Sequence, residues 1–314
     1  MSSSLLNQQS PVFLAPEDIL GHPAFVVARR VWIDGMLGLY ENNPFLSRLL
    51  AATQRSAVFF NTLVLAAAHD PADRSTWPTI GLLQETMASY RVSSRRSIEA
   101  IVARFVETGY ITRQPVAADR RARLLTPTEK MLAHDLDWLK VYFSPLAVMF
   151  PENGYALPMR RDRQFRTALR RVGRPSLDSA VKLLASNPTI TFIMNRDAGM
   201  MILIKLMQLR DGDGLSRAGF SDLAERFGIS RTHVRRLLRD AEDEGLLRLS
   251  QGGVAVQPPL IAAFDRFLAD CMAGFHFLSQ LAVVSCAPTA TPPTTPPVRS
   301  HPDRRNETGA RRER

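Results

Sequence analysis

The chain has 314 residues, 45% of them hydrophobic, enough apolar material to bury the cores of two ordinary domains. Forty Lys and Arg stand against thirty Asp and Glu; the formal net charge of +10 favours polyanionic partners, nucleic acid ahead of a membrane surface. All but Lys130, Lys140, Lys182 and Lys205 of the basic residues are arginines, whose planar fork of donors suits phosphates and guanine edges.

In chain order, residues 1–22 read as irregular, punctuated by Pro11 and Pro16. From Ala24 to about Asp70 the pattern is helical, broken at Asn42-Asn43-Pro44, and a loop at Ser75–Pro78 follows. Residues 79–127 hold a first module, and Thr128–Phe150 is an apolar-periodic helix with Leu132, Leu136, Leu139, Phe143 and Leu146 near one face. Past the linker Pro151–Pro158, Met159–Arg174 carries seven arginines against one Asp, a run expected to be a solvated helix face. A helical run over Ser176–Arg210 and a loop at Asp211–Gly214 lead to a second module at 215–258 and a closing helix at Pro259–Val284. Residues 287–314, dominated by Pro, Thr and Arg, read as a disordered tail.

The halves 1–150 and 151–286 read as an internal repeat. Asp34 and Asn43-Pro44 correspond to Asp178 and Asn187-Pro188 at an offset of 144; Ile98, Ile101, Val102, Phe105 and Gly109 match Val234, Leu237, Leu238, Ala241 and Gly245 at an offset of 136. The eight-residue difference falls in the longer loop around His69–Pro78.

The second module is the clearer. Phe220–Phe227 reads as a short helix, Gly228 as a tight turn and Ser230 as the N-cap of a helix over Arg231–Glu244. Val234, Leu237, Leu238 and Ala241 recur at i, i+3, i+4, i+7 and face inward, which leaves Arg231, Thr232, His233, Arg235, Arg236 and Arg239 outside. An apolar inner stripe with a basic outer face after a short turn is what a DNA major groove accepts. Gly245 ends the helix, and Leu246–Leu249 with Val254–Val256 form a hairpin about Gln251-Gly252-Gly253. In the first module Leu82–Tyr90, the turn Arg91-Val92-Ser93 and the cap Ser94 lead into a helix over Arg95–Thr108, with Arg95, Arg96, Ser97 and Glu99 facing out. Strands at Tyr110–Arg113 and Arg123–Thr126 then flank a wing carrying Asp119, Arg120 and Arg121. The fold class expected is mainly α, with two winged helix-turn-helix modules flanked by long helices.

Gly109-Tyr110-Ile111 followed by Asp119-Arg120-Arg121-Ala122-Arg123-Leu124-Leu125-Thr126-Pro127 resembles the MarR-like winged-helix transcriptional regulators, over about fifty residues. The resemblance implies that Arg121 enters the minor groove and that Asp119 orients it, with Arg120 and Arg123 beside them. The second wing has no Asp-Arg-Arg element. Such regulators pair two copies through terminal helices, so a duplicated chain implies a monomer acting as a pseudo-dimer, or a homodimer.

Other chemistry finds little footing. The six histidines and two cysteines show no ligand spacing, so no metal or cofactor is expected. Asp211-X-Asp213 starts like a calcium loop, but Leu215 stands where an oxygen ligand is needed. No Gly-rich phosphate loop, nucleophile elbow or catalytic carboxylate pair is evident, so the chain is expected not to be an enzyme. Phe59, Phe60, Met200 and Met201 read as core ahead of an effector pocket; a small-molecule effector stays unspecified. Cys271 and Cys286, the absence of a signal-peptide pattern after Met1, and apolar stretches as short as Gly199–Ile204 fit a cytoplasmic, nucleoid-associated protein. The expected partner is double-stranded DNA and the expected function transcriptional control. The DNA-contacting set is Ser94, Arg95, Arg96, Ser97, Asp119, Arg120, Arg121 and Arg123 in the first module, and Ser230, Arg231, Thr232, His233, Arg235 and Arg236 in the second. A plasmid-type replication initiator and a winged-helix protein-assembly module are the alternatives.

Overall fold

The Asn-Pro pairs that divide the sequence also divide the helices in space, and each fixes a helix start because proline at N1 gives up no hydrogen bond. The computed structural model describes residues 13–88, 93–117, 119–210 and 214–286. The first half runs α1 (Pro16–Gly21), α2 (Phe25–Tyr40), α3 (Pro44–Leu50), α4 (Thr53–Ala67), α5 (Ile80–Ala88), α6 (Arg95–Glu107), β1 (Ile111–Val116), β2 (Asp119–Pro127) and α7 (Glu129–Met149). The second runs α8 (Ala156–Met159), α9 (Arg163–Val172), α10 (Leu177–Ser186), α11 (Pro188–Met194), α12 (Gly199–Gln208), β3 (Leu215–Ser216), α13 (Phe220–Phe227), α14 (Arg231–Asp243), β4 (Leu247–Ser250), β5 (Gly253–Val256) and α15 (Pro258–Cys286). The fold is mainly helical with two small antiparallel sheets, β1-β2 and β3-β5-β4.

The offsets seen in the sequence recur as elements. Helices α3 and α11 are both seven residues long and start 144 positions apart at Pro44 and Pro188. Helices α6 and α14 are both thirteen residues long and start 136 apart at Arg95 and Arg231, and the glycines that end them, Gly109 and Gly245, have φ of +73° and +70°.

Several elements differ from the sequence-based expectations. Residues 1–22 are not all irregular: α1 forms because Ile19, fully buried, docks it on α15. The run Ser176–Arg210 is three helices, since Asn187-Pro188 breaks it once and Ala198, at φ +55°, breaks it again. The arginine run is not wholly a solvated face. Arg170 is buried against fully buried Asp135 of α7, with Nε 3.2 Å from Oδ2, and its guanidinium lies over Phe60 and Trp138 at 5.0 and 5.7 Å. Two opposed charges inside the core satisfy each other, and the flat guanidinium covers aromatic faces. One apolar stretch is also longer than the sequence suggested: α15 has the length and composition of a membrane-crossing helix. Half of that stretch is buried inside the fold, where α15 packs on α1, α7, α9 and α11. The expected tail 287–314, the turn Arg91-Val92 and the loop Asp211–Asp213 lie outside the described residues.

The two halves do not keep separate cores. Trp32 of α2 packs edge-on against Tyr142 of α7 at 5.6 Å and against Phe264 of α15 at 5.9 Å, and the buried apolar side chains form one continuous cluster. Arg29 of α2 grips Asp265 of α15 through both carboxylate oxygens, at 2.8 and 2.7 Å. At the far end of α2, Glu41 accepts from Lys205 of α12 at 2.9 Å and from Arg226 of α13 at 2.6 Å.

Burial by itself raises the Glu41 pKa, but the hydrogen bonds and charges of Lys205 and Arg226 outweigh it and hold the carboxyl below its ordinary value of 4.5. A lowered folded-state pKa stabilises the fold above the ordinary value, and that stability is lost as pH falls through the folded value. Glu41→Gln is therefore expected to cost roughly 2–3 kcal/mol at neutral pH, because buried Lys205 loses its counter-charge. It should also flatten the fall in stability below pH 4.5. Urea unfolding followed by circular dichroism at several pH values checks both; a variant as stable and as acid-sensitive as the parent would contradict the assignment.

Candidate nucleic-acid interface

Helices α6 and α14 start in the same way. The Ser94 hydroxyl accepts from the Ser97 amide at 3.1 Å, and the Ser230 hydroxyl from the His233 amide at 3.1 Å, so a side-chain oxygen satisfies one of the amides that a helix start leaves open. Inward, Ile98, Val102 and Phe105 are buried in α6, and Val234, Leu237, Leu238 and Ala241 in α14. Outward, Arg95, Arg96 and Glu99 are exposed on α6, and Arg231, Thr232, Arg235, Arg236 and Arg239 on α14. Helix α5 is fastened to α6 by Gln84, whose side-chain amide donates to the Arg95 carbonyl at 3.3 Å and to Glu99 at 3.0 Å. The helices stop one residue short of the expected Thr108 and Glu244, which act as C-caps.

The wings are unequal. The first is a ribbon pairing Ile111 with Pro127 through Val116 with Asp119, with an irregularity between Pro115 and Val116. It is longer than the expected Tyr110–Arg113 and Arg123–Thr126 strands, so Asp119, Arg120 and Arg121 lie on a strand and not on a loop. The backbone of Arg120 is part of this strand; its side chain lies outside the described residues. Asp119 Oδ1 accepts from the Arg121 backbone amide at 2.9 Å and its Oδ2 pairs with Arg74 at 2.5 Å, so it fixes the strand at Arg121 and draws in Arg74. Arg74 lies over Trp77 at 5.7 Å. Arg74, Arg113, Arg121 and Arg123 thus line one recess beside the wing, with Asp119 among them. Arg74 and Arg113 were not singled out by sequence, because nothing local marks a loop arginine 45 positions from the aspartate that positions it. The second wing is short, closing at Ser250 opposite Gly253, and a third strand, β3, backs it by pairing with β5.

The two modules are tied to a common corner. The α3–α4 turn meets the α11–α12 turn: Ala198 donates from its backbone to the Ala51 carbonyl at 3.1 Å, and the Thr53 hydroxyl to the Met194 carbonyl at 2.6 Å. Arg55 crosses to Asp197 at 3.0 Å. The start of α6 reaches this corner through Ser97, whose hydroxyl donates to Gln54 at 3.3 Å, and the start of α14 through His233, whose Nε2 donates to the Asp197 carbonyl at 2.9 Å. His233 is therefore half-buried and held as a tether, a correction to its expected place among outward base-reading residues. Ser97 is engaged in the same way.

Neither a scan of protein-family models nor searches of curated proteins and of solved structures return a match to the chain.

Gly228 sets how the second module sits. It lies at φ +65°, and a Cβ there would stand 2.8 Å from the Pro44 Cβ. Gly245 lies at φ +70° with nothing within 4 Å of such a Cβ. Gly245→Ala should thus cost only the backbone strain, about 1–2 kcal/mol. Gly228→Ala should cost clearly more, because α13 must also lift off α3. Thermal melts of the two variants check this; equal losses would mean that the contact with Pro44 does not constrain the module.

Proposed function

We propose that the chain is a sequence-specific DNA-binding regulator whose two winged helices read a single operator. The observation that carries this is the matched pair α6 and α14: equal length, the same serine cap, an apolar inner face, an outer face rich in arginine, and starts tethered to one corner. A helix of this kind enters a major groove with its first turns on the base edges, and arginine is the side chain suited to guanine. The arginine recess beside the first wing would take backbone phosphates, contacts that position the protein without specifying sequence. The order of helices, helix-turn-helix, wing and long helix agrees with the MarR-like resemblance, and a duplicated chain would supply in one molecule what two copies supply elsewhere. The outer faces differ, with Arg96 and Glu99 where Thr232 and Arg235 stand, so the favoured operator would be an imperfect inverted repeat.

A duplex selected from a random pool and its scrambled counterpart, followed by fluorescence anisotropy over a range of salt, test this. Binding should weaken steeply with salt on both, as phosphate contacts require. Arg231→Ala and Arg235→Ala should each cost about 1–3 kcal/mol on the selected duplex and much less on the scrambled one. Arg74→Ala and Arg121→Ala should weaken both alike. Absence of salt-sensitive binding would sink the proposal and favour a protein-assembly role; selection of direct repeats would favour a replication initiator.

A further inference from the structure

The seven arginines of residues 159–174 fall into two sets. Arg160, Arg161, Arg163 and Arg170 pair with Asp162, Asp137, Glu129 and Asp135, and Arg166 feels the charges of Asp135 and Glu129. Their charge is met within the fold. Arg171 and Arg174, at and just past the end of α9, are placed otherwise. Arg171 is exposed, and its Nε donates to the Ala67 carbonyl at 3.0 Å, at the end of α4. This bond puts a cation at a helix C-terminus, where it is favourable, and holds the guanidinium still. Among the described residues no carboxylate pairs with it, so its outer edge stays open to solvent.

Arg174 opens the turn Arg174–Ser176 and stands beside Asp73. Hydrogen bonds from the Ser75 hydroxyl and amide hold the Asp73 carboxyl below its ordinary value, and the charge of Arg174 adds to them. Asp73 immediately precedes Arg74, the residue that Asp119 draws into the recess beside the first wing. The arginines therefore run on from the wing: Arg121 and Arg123 on the strand, then Arg74, then Arg174 and Arg171. The second half is built differently. After α12 the chain enters β3, which pairs with β5 and backs the second wing.

We propose that Arg171 and Arg174 extend the wing recess into a track for the sugar-phosphate backbone of duplex DNA lying past the first wing, outside the operator. This rests on the DNA-binding reading and adds that the chain holds flanking duplex at one end only. Guanidiniums held in place take phosphates in charge-assisted pairs and read no bases, so the flank may have any sequence.

The test uses the full chain, with fluorescence anisotropy on the selected duplex trimmed to its two half-sites. Two further duplexes are lengthened at one end or the other by about ten base pairs, one helical turn. Lengthening one end should tighten binding several-fold and steepen the salt dependence by about 2 in slope, near 0.9 for each phosphate engaged. Lengthening the other end should change neither. The double variant Arg171→Ala with Arg174→Ala should lose the gain and still bind the trimmed duplex as the parent does. Arg171→Lys with Arg174→Lys should keep most of it, because a point charge still holds a phosphate. An equal response to both extensions, or none, on a trimmed duplex that binds would overturn the track and leave the DNA reading standing. A gain that survives the alanine pair would do the same. Absence of salt-sensitive binding to the trimmed duplex would overturn both.

Discussion

Trp32, wedged edge-on between Tyr142 of the first half and Phe264 of the second, marks the constraint on which the rest depends: the two halves share one core. Helices α2, α7, α9 and α15 bury their apolar faces against one another across the repeat, and neither half could cover those faces alone. The ionic contacts follow the same division. Arg29 with Asp265, Arg170 with Asp135, and Glu41 with Lys205 and Arg226 each join residues from opposite halves. They add little where exposed, but the Asp135 and Lys205 contacts are buried and fix how the halves register.

The core in turn sets the relation between α6 and α14. If the halves could slide or swing, two similar helix-turn-helix units would search DNA as independent beads on a linker. Here the α3–α4 and α11–α12 turns are bonded to each other, and Ser97 and His233 tie the starts of α6 and α14 to that joint. The second module is held further by the backbone bond from Asn42 to the Arg226 carbonyl at 3.1 Å and by the close packing of Gly228 on Pro44. If α6 and α14 read DNA as proposed, their fixed relation would discriminate better than two loose modules, because the geometry is set before binding.

Local features were legible in the sequence. The serine caps, the apolar period of α6 and α14, their terminal glycines and the Asn-Pro breaks each depend on a few neighbouring residues, and each stands within a residue of its expected place. Long-range features were not legible. Nothing near Arg170 tells that it is buried, because its partner Asp135 lies on another helix 35 positions away. Arg74 looks like any loop arginine until Asp119 is folded against it. His233 reads as an outward base contact from its helical position, and only the packing of Asp197 beside α14 turns it into a tether. The first wing runs past its expected strands: Pro115 has no N–H to give a ladder, yet an irregularity beside it lets pairing continue to Val116 and Asp119. Helix α1 was missed because six residues carry too little periodicity, and its burial depends on α15, far along the chain.

Hydroxyl-radical footprinting of an equimolar mixture of the chain and a selected duplex tests the central claim most directly, with the mass of the complex measured in parallel. A single chain on the duplex should protect two neighbouring segments of unequal strength, the stronger one flanked by the contact of the Asp119–Arg123 wing. A single protected segment per chain, or no protection at all, would contradict the account that two recognition helices held by one core read one stretch of DNA.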